Sequence, residues 1–174
     1  MPHSPSQRLA SIDDLLLYRL GRLSAVAGRM VVRLCEGGYG ITRREWAVVA
    51  QLYENGSLPP SVLAERMHRD RARTSRVLTS LIQKKLVLRT TPAHDRRSAI
   101  VGLSPDGRKV YDSLMPLVQT INGQILSALS PSEVQRFDAA LERLQACAES
   151  LLIELSPALP MANRRRGRLV KDVL

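Results

Sequence analysis

The stretch from Arg69 to Ser80, RDRARTSRVLTS, sets four arginines within eight positions and then runs on as an apolar repeat through Leu78, Leu81 and Ile82. Asp70 stands where a helix N-cap belongs, and such a cap is worth about 1 kcal/mol and fixes which residues open the helix. Those residues are Arg71, Ala72 and Arg73. With Thr74, Val77, Leu78, Leu81 and Ile82 on the inward phase, positions 72, 73, 75, 76, 79 and 83 turn outward on a wheel of about 100° per residue. The helix expected over 71–85 is therefore apolar on one side and cationic on the other, with the charge loaded onto its opening turns.

Working outward, Pro59-Pro60 suits the first turn of a short helix ending near Met67, because proline is tolerated there. Thr42 caps an earlier helix running to about Tyr53, with Trp46, Val49 and Leu52 inward, which Glu54-Asn55-Gly56-Ser57 breaks. After Lys84-Lys85 the period changes. LVLRTT (86–91) and SAIVGL (98–103) flank the polar connection PAHDRR, which reads as a two-stranded hairpin with a basic tip. Three short helices and a hairpin between 42 and 103 make a winged helix-turn-helix, a mainly α fold with a small β element (α+β). The opening residues of the second helix in such a motif meet base edges and phosphates in the major groove of double-stranded DNA. Arg71, Arg73, Ser75, Arg76 and Thr79 are thus candidate DNA contacts, as is Ser61 in the first turn of the supporting helix. Which arginine reads a base and which grips phosphate stays open at this level.

Charge distribution points the same way. The chain has 174 residues and a net charge of +10, of which residues 69–97 hold +7 and the segment from 156 onward +4, leaving the remainder near neutral. Two basic blocks on an otherwise neutral protein imply a polyanionic partner. No apolar run approaches the roughly 20 residues needed to cross a bilayer, and the Met-Pro-His-Ser-Pro opening lacks a basic segment followed by an apolar one. The expectation is a cytoplasmic, nucleoid-associated protein with no membrane partner. His3, His68 and His94 are scattered, so no metal site is expected, and no nucleophile–base arrangement or phosphate-cradling glycine loop stands out. No enzyme activity and no cofactor are expected. Cys35 and Cys147 each fall on the apolar phase of a helix, where burial as small core residues is expected; a redox-sensing thiol is the alternative.

The flanks carry more apolar stripe than the winged unit can use. Ser11 and Asp14 resemble a capping box opening one long helix over 11–35, with Leu16, Leu20, Leu23, Ala27, Met30 and Leu34 on one face. Ser104-Pro105 and Ser130-Pro131 start two more helices, the first reaching about 128 with a bend expected at Pro116 and Gly123, the second reaching 155. Phe137, Leu141, Leu144, Leu151 and Leu155 stripe that last helix. Helices 11–35 and 105–155 are accordingly expected to dimerise two copies about a twofold axis, with residues 1–10 and 156–174 as flexible ends.

The segment LAERMHRDRARTSRVLTSLIQKKLVLRTTPAHDRRSAIVGLSPDGRKV resembles the signature region of the MarR family of bacterial transcription regulators, most specifically in DRRSAIVGLSPDG. The resemblance implies a homodimeric repressor on a pseudo-palindromic operator, with recognition helices in successive major grooves. It also implies that Asp95 stabilises the wing, that Arg97 probes the minor groove and that Arg96 contacts the backbone. Many members are released from DNA by small aromatic acids bound between the dimerisation helices and the winged unit. Here Tyr18, Arg22, Arg43 and Trp46 are the corresponding candidates for a small aromatic or heteroaromatic carboxylate effector. His68 stands where the family usually has glycine, and Thr74 replaces a usual aliphatic residue. A coating protein with little sequence preference, and a winged protein-interaction module, are the competing readings.

Overall fold

The computed structural model describes residues 11–68, 70–90 and 99–160. A single 3-10 turn (Ile12–Asp14) leads into α1 (Leu16–Arg33), which winds into a π-helical turn (Leu34–Gly38). There follow α2 (Arg43–Asn55), α3 (Pro60–Arg66), α4 (Arg71–Gln83), strands β1 (Val87–Thr90) and β2 (Ile100–Leu103), α5 (Pro105–Leu126) and α6 (Pro131–Leu155). The chain divides into two compact units, Met1–Ile125 and Leu126–Leu174.

Local chemistry starts each helix of the winged region. Thr42 and Glu45 form a reciprocal capping box at α2: the Thr42 hydroxyl accepts from the Glu45 amide at 3.2 Å, and Glu45 Oε2 accepts from the Thr42 amide at 2.6 Å. Pro60 occupies the first position of α3, where its missing N–H leaves nothing unsatisfied. The Ser104 hydroxyl accepts from the Gly107 amide at 3.0 Å and donates to the Lys85 carbonyl at 2.7 Å, so the start of α5 is tied to the chain leaving α4.

These elements enclose a core of Ile41, Trp46, Val49, Leu52, Leu63, Leu78, Leu81, Val87, Val101 and Leu114, all nearly inaccessible. Each such side chain contributes about 1.5–3 kcal/mol on burial. The two strands pair antiparallel in the register Val87↔Leu103 to Thr90↔Ile100. Leu58 adds a short third rung, exchanging backbone bonds of 2.9 and 2.8 Å with Val101, which pins the α2–α3 connection to the base of the wing.

The flanking helices depart from expectation in three ways. The Ser11 capping box caps only the 3-10 turn, because Leu15 is extended (φ −67°, ψ 131°) and α1 begins beyond it without a side-chain cap. Along α1 the only fully buried residue is Gly28, while Leu16, Leu23 and Met30 of the anticipated inward stripe are exposed. Helix α6, in the second unit, fully buries none of its residues, and Cys147 on it is exposed, whereas Cys35 is buried as expected. Burial of Cys147 as a small core residue was expected and is not observed.

Candidate nucleic-acid interface

The turn between α3 and α4 sets the orientation of the cationic helix. His68 adopts a left-handed conformation, φ +48°, the region for which glycine is favoured, and its amide donates to the Glu65 carbonyl at 2.8 Å. His68 thus takes up the conformation that glycine favours. Asp70 then caps α4, its carboxylate accepting from the Ala72 amide at 2.7 Å. Thr74 is buried and its hydroxyl donates to the Asp70 carbonyl at 3.1 Å, so the polar atom that replaces an aliphatic group is satisfied.

With Thr74, Leu78 and Leu81 buried, Arg71, Arg73, Ser75, Arg76 and Thr79 all face solvent. Arg76 Nε lies 3.3 Å from the Ala72 carbonyl and the Thr79 hydroxyl donates to the Ser75 carbonyl at 3.0 Å, which holds both side chains along the helix. Ser61 is exposed in the first turn of α3. Asp95, Arg96 and Arg97 lie outside the described residues.

Sequence reasoning missed what fixes the roll of α4. Glu45, only 3% exposed, accepts from the Ser80 hydroxyl at 2.6 Å and from Lys84 Nζ at 2.8 Å while its carboxylate also closes the capping box. Lys84 Nζ donates as well to the Gly40 carbonyl at 2.8 Å. Burial alone pushes the Glu45 carboxyl up, but the bonds from Lys84, Ser80 and Thr42 outweigh it and hold the group below the usual carboxylate range. The spacing Thr42-x-x-Glu45 was visible in the sequence; its meeting with Ser80 and Lys84 is a tertiary fact.

The MarR family profile matches residues 41–99, which include this capped helix, the turn, α4 and β1. Over these residues the chain is similar to the MarR family of winged-helix regulators. The homoprotocatechuate degradative operon repressor of Escherichia coli is 26% identical over 112 residues, covering 64% of this chain and 76% of that protein. The structure of a probable transcriptional regulator from Pseudomonas aeruginosa is 29% identical, with a TM-score of 0.64 over 77% of this chain and 99% of that one. The MepR–DNA complex of Staphylococcus aureus, at 23% identity, shares the fold with a TM-score of 0.70, over 76% of this chain and 97% of its own. These matches support a DNA-binding transcription regulator of the winged helix-turn-helix type, and not an enzyme.

Elsewhere in the chain the anticipated effector residues do not converge. Arg22 forms an ion pair with Asp13 at 3.0 Å, both well exposed, and Tyr18 is half-exposed. Trp46 belongs to the core instead: its ring stacks on Tyr111 at 5.4 Å between centroids, and Tyr111 stacks in turn on Tyr53 at 3.7 Å. Arg43 alone of the four lines a cavity, of about 140 Å³, between α1, α5 and the first turn of α2, walled by Ala27, Val31, Val118, Ile121 and Ile125. Its guanidinium lies against the bare Cα of Gly28. The spacing of Tyr18 and Arg22 puts them on one helical face, and that face is exposed, whereas Trp46 is buried.

Cys35 is poorly suited to redox sensing. Burial pushes its thiol up, Glu36 adds to this, and Arg43 offsets it only in part, so the reactive thiolate is disfavoured. Among the described residues no helix is long and apolar enough to cross a membrane, and no cluster of three or more His, Cys, Asp or Glu could hold a metal ion.

Proposed function

We propose that the protein is a homodimeric repressor of a pseudo-palindromic operator, released from it by a small aromatic or heteroaromatic acid. The observation that carries the reading is α4: an Asp-capped helix locked on its inner face by Leu78, Leu81 and the Glu45 network, with Arg71, Arg73 and Arg76 all presented outward. In this reading α4 lies in the major groove, Ser61 grips the backbone from α3, and on the wing stabilised by Asp95, Arg97 reaches the adjacent minor groove while Arg96 contacts the backbone. Arginine pairs bidentately with guanine, worth about 1–3 kcal/mol of base discrimination.

Twofold symmetry is supported by the exposed apolar residues of α1 and α6, among them Leu17, Val26, Leu144 and Leu152. A dimer places two recognition helices about 34–36 Å apart, one turn of duplex. The repressor name of the E. coli relative and the DNA-bound state of the S. aureus neighbour support the assignment to an operator. For the effector, support comes from the cavity at Arg43, whose apolar walls and one guanidinium suit a single ring carrying a carboxylate.

The test is selection of bound fragments from genomic DNA, followed by competition with unrelated duplex. A preference of about 10³ or more is expected, lost in R73A/R76A; equal affinity for both duplexes would identify a coating protein instead. Release is tested with a panel of aromatic acids, of which at least one is expected to raise the Tm of the protein and loosen the selected fragment. A panel that does neither removes the effector from the proposal.

A further inference from the structure

A groove of about 310 Å³ runs between α2 and α4, with Arg44, Arg73 and Arg76 at its rim and Val48, Met67, Thr74 and Val77 beneath them. No carboxylate lines it. None of the three guanidinium groups has an ion pair among the described residues, whose ion pairs involve Arg22, Lys84 and Lys109. Three like charges above an apolar floor repel one another and focus a positive potential, an arrangement stabilised by an anion held between them. Arg44 is also placed with unusual firmness for a surface residue. It is flanked in sequence by Glu45, whose carboxylate is bonded to Ser80 and Lys84 of α4, so the backbone carrying Arg44 moves with the recognition helix.

We infer that Arg44 is a DNA contact, gripping a phosphodiester beside the half-site that α4 reads. This rests on the DNA-binding reading of α4. The groove shares Arg73 and Arg76 with the outward face of that helix, so a duplex engaged by them brings its backbone past Arg44. Helices other than the recognition helix cross the backbone and do not enter the groove floor, so the Arg44 contact carries affinity and register, not base preference. An open rim, and the duplex-reading arginines that form two of its three charges, favour a phosphodiester over a small free anion.

The experiment compares wild type, R44A and R44K on a duplex carrying the fragment selected from genomic DNA and on an unrelated duplex, across a salt series. R44A is expected to weaken both by the same factor, about tenfold, as for loss of one charge-assisted bond. The slope of log K against log salt should become shallower by about one, with the ratio between the two duplexes unchanged and R44K close to wild type. A scan of methylphosphonate substitutions should then find one position whose neutralisation weakens wild type and leaves R44A unaffected. R44A binding both duplexes as wild type does, or altering their ratio without altering the slope, overturns the inference while leaving the reading of α4 intact. A wild-type protein that fails to bind either duplex overturns that reading instead. Since Arg44 is exposed, an unchanged Tm for R44A is expected and separates loss of contact from loss of fold.

Discussion

The winged region and the long terminal helices follow opposite rules. Between Ile41 and Leu114 a core of apolar side chains is sealed within one chain, and the arginines of α4 are free to face outward because Thr74, Leu78 and Leu81 are covered behind them. Along α6 no residue is fully buried, and Phe137, Leu141, Leu144, Leu151 and Leu155 remain open to solvent. Contiguous apolar surface of that kind marks an association site on a soluble protein. The contrast teaches that the DNA-reading helix and the uncovered apolar stripe are built into separate stretches of sequence. The first has its inner face covered within a single chain, and the second does not, which is what the proposed dimer would use.

The sharpest way to break the contrast is to charge the exposed stripe. Leu144→Glu with Leu151→Glu is expected to convert the protein to a monomer near 19.3 kDa in sedimentation equilibrium. Operator affinity should fall by about 10²-fold or more, because the second half-site no longer adds its effective concentration. The near-ultraviolet signal of Trp46, which sits in the winged core, should persist. A variant that remains dimeric would show that the stripe on α6 is not the interface.

Within the winged region the test moves to Glu45. Glu45→Gln leaves Lys84 and Ser80 with a neutral partner and should lower stability by about 1–3 kcal/mol, the usual cost when a buried bonded charge loses its match. Because Glu45 is held below the usual carboxylate range in the folded state, its contribution is complete above the unfolded value of about 4.3 and is lost as pH falls through the lower folded value. Thermal melts should therefore show wild type above the variant at neutral pH, with the two converging as the solution is acidified below pH 4.3. A constant gap across that range would mean that the carboxylate charge contributes nothing. Operator selectivity should fall further than the Tm, since Ser80 and Lys84 set the roll of α4.

How much of this was legible depended on whether the determining contact was local. The Asp70 cap, the Thr42 start, the Ser104 start and the outward set on α4 are each decided within four residues, and the sequence pattern located them correctly. The left-handed backbone at His68 was not legible from the residue itself, and only the resemblance, with glycine usual there, pointed to it. What escaped was long-range or unpartnered. Ser80 and Lys84 meet Glu45 across 35 and 39 positions, Leu58 joins the wing across 43, and no periodicity encodes either meeting. The Ser11 box misled because it has the right spacing and caps the wrong element, the extended Leu15 intervening. Cys147 misled because an apolar phase along a helix does not by itself supply a neighbour to cover it.

The smallest expected effect tests where regulation enters. A Cβ at Gly28 would collide with the Arg43 guanidinium, which is the far end of a flexible side chain and can shift at little cost. The helix gains about 1 kcal/mol when alanine replaces an interior glycine, so Gly28→Ala should leave the Tm within a few degrees of wild type. Arg43 displaced from α1 is nonetheless displaced from the cavity it lines with Val118 and Ile121. The expected result is a protein that binds its selected fragment as tightly as wild type does and no longer releases it to the aromatic acid that dissociates wild type. Because the DNA-reading face of α4 is untouched, retained affinity is an internal control for folding. Release that survives the substitution would place the effector elsewhere, and the Arg43 cavity would then be only a packing gap between α1 and α5.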